Sequence, residues 1–580
     1  MSHISRRTTL LLASVVFVAL LWVYSSTDSP LPTWDAYANV FPALSLLNDG
    51  NLNISPSEIP FLFVWSLPAT GRRLQISQWN RMIIAGTSAE DLYRAGKLRP
   101  EREAYYFMVR TPGGEYVGTE PPGTALAAAP FFHWMALPDT AASLRNAVPF
   151  VQKSKGIAAV STAATAAIIF ATSVRRLRPL RALLVAMIFG LGTCAWSLGS
   201  QALWAQTGMQ PFLALGIDQF LRIRDRRAYA ATAGFALGCA VCCRSTSVVV
   251  LAAIGVFLLV KDRKALGLCC AGALLPLAFL ASYNYRYFGS PLTEAHALMG
   301  PAIALAKTGS PDLWQTPLWH GALGLLFSPA RGLFVYSPIL ALAFWGAYRV
   351  LRDRAEPEFF PLIAAVAVVM IVRFKWFDWW GGYSYGYRPL MDAIVPLTVL
   401  VIPAIGTRHH GMVRRGVCAM LLLWSIGVQF VGTAYDSQSW DRRTIFQVRA
   451  PDGAATDFSD RNEAAAFAKA RGQTVSRVSY NIDDPLHRDR LWSIRDNPIV
   501  YYAFHRREAL AVRDAMGSAF QNIYAEGYPD PISIGQPQDW ILNYEQELTH
   551  YRRRGCPRYY MGVEYANMVE GLARCRCAEL

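Results

Sequence analysis

The feature that most constrains this chain is a series of apolar runs, each close to the length that crosses a bilayer, whose basic flanks fall on one side. The runs lie at about 8–25, 154–173, 180–197, 205–221, 228–243, 245–260, 265–283, 333–348, 358–373, 390–406 and 416–433. A hydrocarbon core of ~30 Å needs roughly 20 helical residues. Arg and Lys gather at alternate ends of these runs: Arg6 and Arg7, then Arg175, Arg176, Arg178 and Arg181, then Arg222, Arg224, Arg226 and Arg227, then Lys261, Arg263 and Lys264, then Arg349, Arg352 and Arg354, then Arg408, Arg414 and Arg415. Basic loops stay cytoplasmic during insertion. The pattern therefore predicts a mainly α, polytopic membrane protein of about 11 transmembrane helices, with a cytoplasmic N-terminus and a C-terminal segment outside.

Composition agrees where it matters. With 53% hydrophobic and 12% aromatic residues in 580, but a mean hydropathy of only +0.21, roughly half the chain must lie in water. The formal charge of +15 would suit a polyanion-binding surface, yet the positive residues sit at the ends of apolar runs. It reads as topology, and no nucleic-acid partner is expected.

Two domains follow: residues 1–433 as the transmembrane domain, with 26–153 as its first external loop, and 434–580 as an external α/β domain. The first run could be a cleaved signal peptide with small residues near Val23 and Ser25, but an uncleaved anchor is preferred because a chemically suggestive stretch follows so closely. In the loop, Pro56, Pro60 and Pro68 interrupt an aromatic patch better suited to interfacial helices than to a span. Tyr105–Arg110 and Glu115–Thr119 flank Thr111-Pro112-Gly113-Gly114 and predict a β-hairpin. The run after Pro121-Pro122-Gly123 is assigned to a juxtamembrane helix, since spanning would place four arginines from 175 to 181 outside. As one helix, 228–260 would be ~50 Å long, so Arg244 is expected to mark a hairpin turn at the outer surface. In the tail, Cys556 is expected to pair with Cys575 or Cys577. The cysteines in apolar runs are packing residues.

Candidate chemistry falls on the outer loops. Asp35, in Thr33–Leu47 just after the first run, is either a helix N-cap or a carboxylate held at the water–lipid boundary as a general base. Glu120 precedes the Pro-Pro pair. Further on stand Gln201, Trp204, Asn284, Arg286 and Ser328-Pro329-Ala330-Arg331-Gly332. The most unusual stretch runs from Lys375 to Arg388, Lys-Trp-Phe-Asp-Trp-Trp-Gly-Gly-Tyr-Ser-Tyr-Gly-Tyr-Arg. Its aromatics alone would suit an interfacial belt. Gly381, Gly382 and Gly386 also let backbone approach a ligand, Trp380 and Tyr387 offer faces to a sugar, and Lys375 and Arg388 can bind phosphate. Asp378 is a second acid in the same loop.

Taken together, these residues resemble the GT-C integral membrane glycosyltransferases, the superfamily of protein O-mannosyltransferases and the bacterial transferase of aminoarabinose to lipid A. The resemblance rests on the carboxylate after the first run, the juxtamembrane Pro-Pro, the aromatic Trp-Trp-Gly-Gly…Arg loop, Asn284 to Pro291, Gly324 to Leu333, and Asp484-Pro485…Arg490-Leu491-Trp492. It implies a GT-C-like fold and sugar transfer from a polyprenyl-phosphate donor to a glycan, lipid or protein hydroxyl, on the periplasmic face of a bacterial inner membrane. It implies Asp35 as base and Arg388, with Arg331 and Arg286, as donor-phosphate contacts. Two departures stand out. Glu120 occupies the place of a lysine in the lipid A transferase, and Gln201 and Gln206 stand where some members carry a second acid. No metal ligands are assigned, although a divalent metal remains possible. The alternative is a lipid-linked glycan flippase, against which the charges lie at the outer rim and the two halves do not match.

Overall fold

The computed structural model describes residues 5–513 except 28–29, 32, 57–59, 61–62, 70–71, 76–82, 85, 104–106, 135–147, 355, 407–411, 438, 451–454, 459–460 and 484. The expected cysteine pairing in the tail, and Asp484 of the tail motif, lie outside the described residues.

Among the described residues, five helices are long and apolar enough to cross a membrane: Arg6–Tyr24, Lys153–Val174, Arg263–Phe288, Pro357–Lys375 and Met412–Gly432. Shorter apolar helices include Pro179–Gly192, Tyr229–Cys243, Ser245–Lys261 and Leu318–Phe327. The first helix turns Leu10, Leu11, Val15, Val18 and Trp22 outward, a face suited to hydrocarbon rather than water. Helix Val148–Val174 lies at the centre, packed against Arg6–Tyr24, Pro179–Gly192 and Ala205–Phe220. Helix Tyr229–Cys243 is sandwiched between Ala205–Phe220 and Arg263–Phe288.

That sandwich depends on small residues. A Cβ added at Gly234 would lie 1.9 Å from the Cys269 carbonyl oxygen, and one at Gly272 would lie 1.9 Å from that of Ala231. Without a hydrophobic drive between helices in lipid, close backbone approach supplies the attraction.

Several expected spans are broken, two of them at proline. The run 333–348 is a short helix Leu333–Tyr336, a 3-10 turn Pro338–Leu340 and a helix Ala341–Asp353. The run 390–406 is a 3-10 turn Arg388–Ala393 followed by Ile394–Val399 and Val401–Ile405. Pro338, Pro389, Pro396 and Pro403 remove the N–H donors that a continuous helix would use. The run 180–197 stops at Gly192 and resumes as a π-turn, Ala195–Gly199.

The loops sort to two ends of the bundle. Helix Ala205–Phe220 begins just after Gln201 and ends past Asp218, so about 20 Å of helix lies between them. At the Asp218 end the basic clusters are paired: Arg175 with Asp218, Arg176 and Arg224 each with Glu358 at 3.1 Å, and Arg227 with Asp262 at 2.7 Å. At the Gln201 end, buried Arg513 donates to the Pro30 carbonyl (3.1 Å), the Thr433 carbonyl (2.7 Å) and Gln201 Oε1 (2.9 Å). One side chain thus ties three loops that the basic pattern assigned to the same side.

The first external loop carries the expected juxtamembrane helix, Gly123–Trp134, and the expected hairpin, Met108–Arg110 paired antiparallel with Tyr116–Gly118. In the C-terminal segment, strand Arg442–Arg449 is flanked by Val475–Asn481 and Ala455–Phe458 in an antiparallel sheet. Helix Arg461–Arg471 covers it through Ala464 and Ala468 against Val448.

Replacing Gly234 with Val should prevent the helix pair from closing. We expect a loss of about 2–4 kcal/mol, read as a lower midpoint of thermal unfolding in detergent, while Gly267→Val, where an added Cβ meets nothing within 4 Å, should leave the midpoint within about 1 °C.

Candidate active site

Thr33 occupies the N-cap position of helix Trp34–Asp49 without a side-chain capping bond, so Asp35 is not the N-cap that local sequence allowed. It stands one residue further on, in the first turn, where its carboxylate Oδ2 accepts a hydrogen bond from Arg388 Nη1. Both side chains are mostly buried, 21% and 18% exposed. Arg388 also donates from Nη2 to the Gly381 carbonyl at 2.6 Å and lies 4.8 Å from the centre of the Trp204 ring. Trp204 is itself fixed, donating from Nε1 to the Leu198 carbonyl at 3.1 Å. Asn39 binds the neighbouring Leu203 carbonyl at 3.0 Å. Segments more than 350 residues apart in sequence therefore meet at one pair.

The 375–388 loop can present Arg388 in this way because three glycines take left-handed backbone, Gly381 at φ 72°, Gly382 at 60° and Gly386 at 64°. At Gly386 an added Cβ would also strike the Tyr336 ring at 2.6 Å. Side chains with a Cβ pay steric strain in that region.

Beside this pair sits a second cluster. Lys307 Nζ lies 2.6 Å from Asp378 and 3.1 Å from Asp483. Asp378 accepts the Gly382 N–H at 3.0 Å, and Trp380 donates to Asp483 at 2.9 Å beneath the Arg488 guanidinium, 4.3 Å from its ring. Burial pulls the Lys307 ammonium down, but Asp378 and Asp483 outweigh it and hold the pKa above the usual lysine value. For Asp378, burial pushes up and Lys307 pulls down, with a net lowering.

A third cluster was only half visible in the sequence. Arg244 does connect two helices, but it is not at the surface: its side chain is 14% exposed, 2.6 Å from Glu120 and 3.7 Å from Asp392. The segment around 244 packs inward because two acids require a cation there. Glu120 also lies 3.6 Å from His296. Asp392 is bound by Arg373 and accepts from Thr246 Oγ1 at 2.9 Å. Burial pushes the Glu120 carboxyl up, but Arg244 and His296 more than reverse this and hold it well below the usual range. Asp392 and Arg373 were hidden inside apolar runs. The signal that could have found them is the pairing of opposite charges, one in each of two adjacent spans, where an isolated charge is costly.

The remaining sequence candidates lie elsewhere. Arg331 is fully buried and bonds inward, to the carbonyls of Trp380 (3.0 Å), Gly382 (3.1 Å) and Ala330 (3.0 Å) and to Asp441 (3.1 Å). It shapes the glycine loop from behind and does not face the Asp35 side. Arg286 is 63% exposed and forms a two-pronged pair with Glu115, away from the three clusters. Tyr387 is buried with its hydroxyl on Ser337 at 2.6 Å, so its ring is a packing element. Lys375 closes helix Phe360–Lys375, half-buried. Asn284 donates to the Pro291 carbonyl at 3.1 Å, a helix-ending contact completed by left-handed Gly289. Among the described residues, no three His, Cys, Asp or Glu side chains gather as a metal-ligand group.

No family model and no curated protein matches the chain. Solved structures similar to the chain include two oligosaccharyltransferases from one archaeon. One is the Archaeoglobus fulgidus oligosaccharyltransferase tethered through a disulfide to an acceptor peptide containing the NVT sequon, with 13% identity, a TM-score of 0.40, and coverage of 74% of this chain and 55% of that one. The other is the archaeal oligosaccharyltransferase AglB from the same organism with an inhibitory peptide and a dolichol-phosphate, with 13% identity, a TM-score of 0.39, and coverage of 74% and 56%. The chain spans a little over half the length of the solved structures it matches.

Glu120 offers a pH test. Its folded pKa is lowered, so the stability it contributes is present above the ordinary carboxylate range and is lost as pH falls through the folded value. Glu120→Gln should cost about 3 kcal/mol at pH 7, by leaving Arg244 partly uncompensated. The difference from wild type should shrink below about pH 4, which unfolding midpoints taken across pH would reveal.

Proposed function

We propose that the chain is a membrane glycosyltransferase of the GT-C kind that moves a sugar from a polyprenyl-phosphate donor to an acceptor hydroxyl on a glycan, lipid or protein. The reaction takes place at the loop end that carries Asp35, on the periplasmic side of a bacterial inner membrane. The observation that carries this reading is the contact between Asp35 and Arg388. A carboxylate able to accept a proton and a guanidinium able to bind a phosphate stand side by side, at the end of the bundle opposite the basic clusters.

The chemistry needs few parts. A sugar joined to a lipid phosphate already has its leaving group, so the protein must supply a base for the acceptor, a cation for the departing phosphate, and a site shielded from bulk water. In this reading Asp35 takes the hydroxyl proton as the acceptor oxygen bonds to the anomeric carbon. The bond from that carbon to the phosphate oxygen breaks, and its electron pair leaves with the phosphate. Arg388 stabilises that charge with two parallel N–H donors. Trp380 is buried beneath Arg488 and anchors Asp483, so it braces the loop, and Lys307 stays bound to two carboxylates beside it. Arg244, Glu120, Asp392 and Arg373 fix the start of helix Gly123–Trp134 to the turn that begins at Arg388. They act as positioning residues.

The test is transfer by purified protein from a polyprenyl-phosphate sugar, supplied with lipid and glycan acceptors from the cell envelope. Asp35→Asn should lose about 10²–10⁴-fold in rate, and Arg388→Ala about 10²–10³-fold. Arg388→Lys should also be impaired, because an ammonium cannot offer the paired geometry. Near-normal transfer by a folded Asp35→Asn protein would remove Asp35 from the chemistry.

A further inference from the structure

The two groups that the proposed reaction needs are bound to each other. Arg388 directs Nη1 to Asp35 and Nη2 to the Gly381 carbonyl, so both terminal nitrogens of the fork are engaged. A phosphate seeking two parallel N–H donors must displace one of these bonds or both. The Asp35 oxygen that accepts from Arg388 is also not open to an acceptor hydroxyl while that bond stands.

We propose that Arg388 is a donor-operated latch on Asp35, an inference that rests on the functional reading above. While the pair stands, the guanidinium occupies the carboxylate. When the lipid phosphate arrives, Arg388 transfers its Nη1 contact to a phosphate oxygen, and Asp35 becomes available to the acceptor hydroxyl. The base is thereby released only when a donor is in place. After transfer, the proton on Asp35 must pass to solvent before the pair can re-form. Product release and resetting are therefore linked through one proton.

Several features of the site suit such an exchange. The pair is mostly but not fully buried, so a ligand can reach it from the open side. The Trp204 ring beneath the guanidinium attracts a cation without binding either nitrogen, so Arg388 can change partners while staying over the same face. The backbone behind it is fixed, because Asp392 at the other end of the Arg388–Ala393 turn is held by Arg373 and Thr246. The movement required is one of side-chain torsions, not of the loop.

The latch makes a prediction that a simple base does not. Asp35 competes with the phosphate for Arg388, so Asp35→Asn should bind sugar-free polyprenyl monophosphate about two- to fivefold more tightly than wild type, even as it loses transfer. Removing a negative charge near an anion would also tighten binding, and a double-mutant cycle separates the two causes. In an Arg388→Ala background the latch predicts no further gain from Asp35→Asn, whereas general charge relief predicts the same gain in both backgrounds. Binding would be measured on the full chain in lipid nanodiscs, with Asp35→Ser as a second variant and monodispersity as the folding control. Unchanged or weaker binding by Asp35→Asn and Asp35→Ser, or an equal gain in both backgrounds, overturns the latch and leaves the base assignment standing. Retained transfer by Asp35→Asn overturns the base assignment instead. A wild-type protein that does not bind polyprenyl monophosphate overturns both the donor class and the latch.

Discussion

The loop end of this molecule depends on a guanidinium that has no access to water. Arg331 is wholly enclosed, and an enclosed cation must find acceptors for its N–H groups and a counter-charge close by. It finds them in three carbonyls and in Asp441. Two of the carbonyls belong to Trp380 and Gly382, so satisfying Arg331 dictates the path of the glycine loop. Asp441 begins the C-terminal segment, so the same requirement draws that segment onto the bundle. For Asp441, burial pushes the carboxyl up and Arg331 pulls it back, and its pKa settles at about 6. The position of Arg388 relative to Asp35 is thus set partly by a residue that touches neither.

The periodic and compositional part of this architecture was legible in the sequence. Several apolar runs coincide with helices, while Ala295–Thr308 and Leu318–Phe327 fall outside every expected run, and basic loops gather at the end that carries Asp218. The hairpin around Thr111–Gly114 and the helix after Pro122 were readable because turn residues and charge placement are local signals. Internal breaks in apolar runs were less legible. Pro338 and Pro396 sit in stretches whose hydropathy alone predicts a continuous span, and only the missing N–H groups reveal the interruption. Buried charge pairs were legible one partner at a time. Arg244 could be seen as a break, but its inward direction depends on Glu120 and Asp392, which are 124 and 148 positions away in the chain.

The candidate site shows the same division. Asp35 and Arg388 were selected from different stretches for different reasons, and the structure brings them into contact. Arg331 and Arg286 were chosen on residue type and loop position alone, which cannot tell an arginine facing a ligand from one that braces a loop or pairs at the rim. Burial separates these cases, and it is a property of the assembled chain. Tyr387 illustrates the point for aromatics: one residue from Arg388, it faces the opposite way, into Ser337 and the backbone of Cys194.

Arg513 has a consequence for how the protein comes into being. It binds Pro30, Gln201 and Thr433, and the tail also supplies Asp483 to Lys307 and the Leu491 carbonyl to Ser328. Chains emerge from the ribosome at ~5–20 residues per second, so the loops near residue 30 wait tens of seconds for the segment that fastens them. Until then the helices can form, but the loop end lacks the contacts that fix it. Its geometry is therefore completed late in synthesis, once residues 483–513 have been made and have docked.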